Sequence, residues 1–314
     1  MARFKVLISA PYLVPFIDRF RPMLEARDCG VVVAEVEERL EEQDLLKVIA
    51  DIDGVVCGDD RFTARVMDHA PKLKVLSKWG TGIDSIDQEA AAKRGIAIRN
   101  IPDAFSEPVG DTVLGWMLTF ARRIAEQTDL MRAGGWEKLP GHALNEKTLG
   151  IVGLGNCGKA VARRAQAFGM QVLASDIVEP QADFVSQYGV QMLSTEEVLK
   201  QSDYVSVNCD LNPSSLHIIN ESSIALMKPT AVLINAARGP LVKESALIAA
   251  LQERRLHGAA LDVFEDEPLA ADSPLRTMPN VLMAAHNANS SPAAWERVHE
   301  RAIGNMLEVL ESGR

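Results

Sequence analysis

The stretch Thr148-Leu-Gly-Ile-Val-Gly-Leu-Gly-Asn-Cys-Gly158 decides how this chain folds. An apolar run ends in Gly153-x-Gly155-x-x-Gly158, and residues 159–168 that follow have the pattern of a helix. The spacing has a mechanical reason: the first glycine makes a tight turn, the second lets backbone approach a pyrophosphate, and the third packs helix on strand. The free N–H groups at the helix start then face the phosphate charge. Asp176 stands eighteen positions after Gly158, just past the apolar run 171–174. A carboxylate there accepts hydrogen bonds from ribose hydroxyls and repels a 2′-phosphate, so the pattern predicts NAD rather than NADP. The competing reading is a structural glycine turn and an unrelated surface Asp. Having a strand before and a helix after favours the cofactor.

Outward from this stretch, short apolar runs alternate with longer mixed segments. One series covers 4–9, 31–34, 54–57, 73–77 and 96–98; a second covers 148–152, 171–174, 204–208, 231–235, 259–263 and 281–284. Strands alternating with helices call for parallel sheets, because each crossover returns the chain to the same end. Eleven strands divide into two sheets, separated by a long helix-like segment, 106–125, and a polar connection around 134–146. The expected fold is therefore α/β with two doubly wound parallel-sheet domains. Helix starts are expected at Ser85 with Gln88, at Ser194 with Glu197, and at Ser291 before Pro292. The acidic stretch 35–44 reads as a solvated helix face or turn.

Composition narrows the function. The 314 residues suit two domains, with 47% hydrophobic and 24% charged residues, as in ordinary globular chains. A net charge of −10 disfavours nucleic acid or an anionic membrane as principal partner. There is no run of 18 predominantly apolar residues, and the opening run soon meets Pro11 and Pro15, unlike a signal peptide. Cys29, Cys57, Cys157 and Cys209 form no C-x-x-C pair, and the six histidines lack zinc-type spacing. We therefore expect no metal, and a reduced, cytoplasmic setting.

In doubly wound sheets, ligands lie beyond the carboxyl ends of the strands. In the second series those positions carry Asp176, then Asn208–Asp210, Arg238 in Asn-Ala-Ala-Arg-Gly, Asp262 with Glu267, and His286. An arginine, a carboxylate and a histidine beside a nicotinamide suit 2-hydroxy acid oxidation. The arginine pairs with the substrate carboxylate and polarises its carbonyl oxygen. The histidine exchanges the hydroxyl proton, and the carboxylate orients the imidazole and favours its protonated form. Taken singly, Arg238 also suits a helix cap, Glu267 a solvated turn and His286 a satisfied structural histidine. Their order at matching strand ends supports the joint reading. In the first series, Gly80-Thr81-Gly82 beside Lys78 reads either as a tight turn or as a backbone nest for a substrate carboxylate.

Several motifs, Lys78-Trp-Gly-Thr-Gly-Ile-Asp-Ser-Ile-Asp87, Asn100-Ile-Pro, the glycine turn, Asn235-Ala-Ala-Arg-Gly and Ala260-Leu-Asp-Val-Phe-Glu-Asp-Glu-Pro268, give the sequence its resemblance to the D-isomer-specific 2-hydroxyacid dehydrogenase family. That family includes phosphoglycerate dehydrogenases and glyoxylate/hydroxypyruvate reductases. The resemblance implies a Rossmann-type NAD-binding domain, 100–287, inserted in a flavodoxin-like substrate domain formed by 1–99 and 288–314, and a homodimer. It implies Arg238, Glu267 and His286 as catalytic residues. Gly153, Gly155, Asn156, Cys157, Gly158, Asp176, Cys209, Ala236, Ala237 and Asp262 would line the NAD site. Lys78, Gly80 and Thr81 would hold the substrate's acidic end, and Arg238 would also bind the substrate; Asn287, outside the family pattern, is a further candidate substrate-binding residue. The family's formate dehydrogenases carry Gln where Glu267 stands. The C-terminal-binding corepressors are also similar, so an NAD(H)-sensing binding protein is the alternative, though no partner-binding tail is visible. Two stretches depart from the family pattern: His286-Asn-Ala-Asn-Ser-Ser-Pro292, and Cys209-Asp-Leu-Asn-Pro213 with Asp210 where proline is usual. Asn287 and Asn289 suggest a polar, hydroxylated substrate.

Overall fold

The computed structural model describes residues 2–312; Met1, Gly313 and Arg314, at the ends of the expected discontinuous domain, lie outside the described residues. The chain divides into two compact units, Met1–Phe105 with Ser291–Arg314, and Ser106–Ser290. The second is thus inserted between two segments of the first.

The first unit holds β1 (Phe4–Ile8), β2 (Cys29–Val33), β3 (Gly54–Cys57), β4 (Val75–Lys78) and β5 (Ala97–Arg99). They pair in parallel in the order β2-β1-β3-β4-β5, the flavodoxin-like winding. Central strands such as Gly54-Val-Val-Cys57 are buried throughout, because helices cover both faces, and this produces their unbroken apolar runs. Leu7, Val55 and Leu76 meet Leu45, Ile49 and Val66 on one side of the sheet. The helix Pro292–Ser312 covers the strands too: a Cβ on Gly54 would stand 3.1 Å from Met306 Cγ, and Ser77 Oγ donates to the Ala302 carbonyl at 2.7 Å. Trp79 Nε1 donates to His299 Nδ1 at 2.8 Å, and burial lowers the pKa of that histidine.

The second unit holds β6 (Thr148–Val152), β7 (Gln171–Ser175), β8 (Val190–Met192), β9 (Tyr204–Val207), β10 (Val232–Asn235), β11 (Gly258–Leu261) and β12 (Val281–Met283). Their order, β12-β11-β10-β9-β6-β7-β8, is the Rossmann winding with one added strand, and every pair is parallel. The winding reverses between β6 and β9, so their carboxyl ends flank the crevice where such sheets take ligands.

Four local expectations need correction. The described residues form twelve strands rather than eleven, the addition being the three-residue edge strand β8. The segment 106–125 is not one helix: Ser106–Arg122 ends at Arg123, whose φ of 52° turns the chain into a second helix, Ile124–Arg132. The helix after the glycine turn starts at Asn156, not at 159. Ser85 does not cap the helix: its buried hydroxyl has no hydrogen-bond partner among the described residues, and Asp87 accepts the Ala90 N–H instead. Ser194 does cap its helix by accepting the Glu197 N–H, and Ser291 accepts that of Ala294.

The unit boundaries have local causes. Residues after β5 return to the first unit, where Ile101 N donates to the Gly80 carbonyl and Thr81 Oγ1 to the Ile101 carbonyl. Residues 287 and 288 stay with the second unit because Asp262 binds both their N–H groups.

Candidate active site

The glycine turn begins the site. Gly153 has φ of 93°, and a Cβ there would lie 2.5 Å from Cys209 N, so the β6 turn and the loop after β9 close on one another. A Cβ on Gly158 would lie 2.2 Å from the Gly153 carbonyl oxygen; only hydrogen lets the helix Asn156–Ala167 pack so near the strand. Gly155 differs, since nothing stands within 4 Å of its Cβ position and the backbone is exposed. The three glycines therefore serve turn, open approach and packing, the division that pyrophosphate binding requires.

Asp176 follows β7 and is exposed. Its Oδ2 accepts the Leu154 N–H at 2.6 Å and its Oδ1 the Val178 N–H at 2.9 Å. The carboxylate is thereby fixed to the glycine turn itself, with lone pairs left for hydroxyl donors. Cys209 is half-buried, and burial pushes its thiol pKa up to about 11, so it lines the turn as a neutral group. Asn156 and Cys157 open the helix, the first exposed and the second half-buried. We predict that Asp176→Ser weakens NADH binding about tenfold and improves NADPH relative to NADH, from loss of ribose acceptors and of charge repulsion. Fluorescence titration with both cofactors checks it; an unchanged preference removes Asp176 from the role.

Arg238 lies just beyond β10 on a turn built by a side chain. Asn235, only 1% exposed, accepts the Ala237 N–H through Oδ1 at 3.1 Å and donates from Nδ2 to the Arg238 carbonyl at 2.8 Å. Ala236, Ala237 and Arg238 are half-buried on this turn, and Arg238 Nη1 donates to the Ala237 carbonyl at 2.9 Å. A Cβ on Gly239 would collide with the Phe264 carbonyl oxygen at 1.7 Å, so the Arg238 turn lies directly on the loop after β11.

That loop carries Glu267. Its Oε1 accepts the Phe264 N–H at 3.0 Å and its Oε2 stands 3.0 Å from His286 Nδ1. Burial opposes ionisation of this carboxyl. The hydrogen bond and charge of His286, the Phe264 N–H and the charge of Arg238 outweigh it, holding the group below the usual carboxylate range. His286 has φ of 48°, and its N–H donates to the Asp262 carbonyl at 2.7 Å. Asp262 is 1% exposed; its carboxylate accepts the Asn287 N–H at 2.7 Å and the Ala288 N–H at 2.9 Å. Burial raises the pKa of Asp262 against those two bonds. Asp262 thus holds the turn that presents His286, while Asn287 is exposed beside it.

The structure therefore brings Arg238, Glu267 and His286 to the carboxyl edge of one sheet, with the glycine turn on the same edge. Asn235, which shapes the Arg238 turn, has no role assigned to it by the sequence patterns. A polar side chain closing a fully buried strand was the available signal. In the first unit, Lys78 is buried and its Nζ pairs with Asp59 at 2.7 Å. Gly80 has φ of 127° there, and Asn100 Nδ2 donates to the Thr81 carbonyl at 2.6 Å.

A Rossmann sheet whose carboxyl edge carries a dinucleotide turn and an Arg–Glu–His set defines a nicotinamide-dependent oxidoreductase. Comparison with known proteins gives the family. Residues 114–288 match the family described as D-isomer specific 2-hydroxyacid dehydrogenase, NAD binding domain. A glyoxylate reductase of Thermofilum pendens is 38% identical over 99% of this chain and 93% of its own length. A hydroxypyruvate reductase of Thermotoga maritima is 36% identical over 99% of each chain. The crystal structure of a D-lactate dehydrogenase from Aquifex aeolicus, complexed with NAD and lactic acid, superposes with TM-score 0.88 at 28% identity, over 98% of this chain and 96% of that one. The chain belongs to the D-isomer specific 2-hydroxyacid dehydrogenase family, and is an NAD-dependent oxidoreductase of hydroxy and oxo acids.

Proposed function

We propose that this enzyme interconverts a small, polar or hydroxylated D-2-hydroxy acid and its 2-oxo acid, with Arg238, Glu267 and His286 as its catalytic residues. The observation that carries this reading is the hydrogen-bonded Glu267–His286 pair, packed through Gly239 and Phe264 against the Arg238 turn. NAD fits the residues present: Gly155 leaves space for pyrophosphate, and Asp176 offers acceptors to the ribose. Gly153, Gly158, Asn156, Cys157, Cys209, Ala236 and Ala237 complete the proposed cofactor site, with Asp262 acting beneath it. When bound, NADH supplies the hydrogen and electron pair that reduce the 2-oxo carbon.

The protein's own groups do the rest. Arg238 pairs with the substrate carboxylate and draws negative charge onto the 2-oxo oxygen. Because His286 Nδ1 faces Glu267, Nε2 is the nitrogen that gives its proton to that oxygen during reduction, and takes it back during oxidation. Ionised Glu267 keeps the ring oriented and favours its protonated form. Lys78, Gly80 and Thr81 are assigned to the substrate's acidic end, and Asn287 to its polar substituent.

Relatives that act on glyoxylate and hydroxypyruvate by name support this substrate class. The test is NADH oxidation against glyoxylate, pyruvate, hydroxypyruvate and a phosphorylated 2-oxo acid. Hydroxypyruvate is expected to exceed pyruvate in kcat/KM. Asn287→Ala combined with Asn289→Ala should lower kcat/KM for the hydroxylated substrate about tenfold and leave glyoxylate unaffected, since one lost hydrogen bond is about that large. Equal kcat/KM for the variant and the parent on hydroxypyruvate would remove the asparagines from recognition.

A homodimer and a cytoplasmic setting belong to the same proposal. The helix Ile124–Arg132 buries none of its residues, and Ile124, Met131 and Trp136 are exposed, an apolar face suited to a second copy. Among the described residues Cys29, Cys57, Cys157 and Cys209 form no disulfide, as suits a reducing compartment.

A further inference from the structure

A second histidine–carboxylate pair lies in the inserted unit, outside the proposed chemistry. His217 Nε2 stands 2.6 Å from Glu265 Oε1. His217 is on the loop after β9, with φ of 51°, and Glu265 lies two residues before Glu267. The histidine is also tied to the Arg238 turn through its backbone, since His217 N–H donates to the Pro240 carbonyl at 2.9 Å, two residues past Arg238. The loop continues along that turn: Ile219 N–H donates to the Leu241 carbonyl at 3.0 Å, and Lys243 N–H to the Ile219 carbonyl at 2.8 Å. Asn220 Nδ2 donates to the His217 carbonyl at 2.8 Å, which fixes the residue from its other side.

We infer that His217 is a positioning residue that clamps the Arg238 turn to the Glu267 loop, its backbone holding one and its imidazole the other. The inference rests on the roles proposed above for Arg238 and Glu267. The two loops already meet where Gly239 abuts the Phe264 backbone, a contact of main chain with main chain. The bond from His217 to Glu265 adds a second point, one residue along the loop. Two points fix the direction in which Glu267 leaves the loop, and through its Oε2 the tilt of the His286 ring. A misplacement of reacting groups by about 1 Å costs up to a hundredfold in rate, so a clamp of this kind acts on kcat rather than on cofactor affinity.

The test compares His217→Ala, His217→Gln, Glu265→Ala and the double alanine variant. Gln places an amide N–H near the position of Nε2 and so restores the donor. His217→Ala is expected to lower kcat about tenfold while NADH affinity stays within about twofold of the parent. His217→Gln should recover most of that loss, and the double variant should be no slower than either single one, because both remove the same bond. Hydrogen exchange gives a readout independent of turnover: peptides covering 236–242 and 263–269 should exchange faster in His217→Ala than in the parent, and return in His217→Gln. A parent enzyme inactive on every 2-oxo acid would sink the proposed function, with the exchange data still deciding whether the clamp exists. Unchanged kcat and exchange in His217→Ala, or losses that Gln does not restore and that add in the double variant, would overturn the clamp.

Discussion

Arg238→Ala is expected to lower turnover about a hundred- to a thousandfold while leaving NADH binding intact, the size of effect seen when a preorganised donor to a developing oxyanion is removed. The structure explains why the loss should fall on chemistry. Arg238 stands on a turn whose shape comes from Asn235, whose side chain is buried and bonded to that turn at both ends. Truncating the guanidinium leaves those bonds in place, and it leaves the glycine turn after β6 untouched. Arg238→Lys should recover only part of the activity, because an ammonium lacks the planar fork that meets a carboxylate with two parallel bonds. Steady-state kinetics with a separate NADH titration decides it: near-normal turnover in Arg238→Ala would remove the residue from the reaction.

What could be read from the sequence follows from the geometry of parallel sheets. All strands of such a sheet end on one edge, so the residues beyond successive apolar runs share that edge whatever the helices between them do. This is why Arg238, Glu267 and His286 could be grouped from order alone. The strands that were legible are the interior ones, such as Val232-Leu-Ile-Asn235, buried at every position. Val190-Gln-Met192 escaped because an edge strand of three residues with one exposed polar side chain has no apolar run to show. The break at Arg123 escaped as well, since the residue adopts a left-handed conformation that its side-chain type does not announce.

The interior of the site was less legible than its outline. Asp262 reads in sequence as a polar residue at a strand end, open to ligand, yet it points inward and binds the N–H groups of Asn287 and Ala288. Its partners lie 25 and 26 positions away, and no local pattern links them. The Asn235 bonds are local, only two and three residues long, but their value appears only once Gly239 is seen against Phe264. Sequence order thus groups the residues proposed to react, whereas the bonds of Asn235 and Asp262 that shape their turns appear only in the folded chain.

The Glu267–His286 pair makes the sharpest claim about pH. Burial alone would raise the carboxyl's pKa, yet His286, the Phe264 N–H and Arg238 together hold it below the ordinary range. A depressed carboxylate contributes its stabilisation above the unfolded pKa and loses it as pH falls through the folded one. Glu267 is therefore ionised throughout the neutral range, and the pair loses its charge partner only in acid below the usual carboxylate titration. In the proposed reduction His286 gives a proton, so the rate is expected to decline as pH rises, and an adjacent negative charge moves that decline upward. Glu267→Gln removes the charge but keeps a hydrogen-bonding group of the same size. The declining limb of kcat for 2-oxo acid reduction should then move to lower pH. The deficit should be about ten- to a hundredfold at pH near 8 and shrink towards pH near 6, as the proton is restored by mass action. His286→Ala should instead lose about a hundred- to ten-thousandfold with no such recovery, since no donor remains to be protonated. A Glu267→Gln profile that is parallel to the parent's across this range, merely scaled down, would mean that the carboxylate shapes the site without governing its proton.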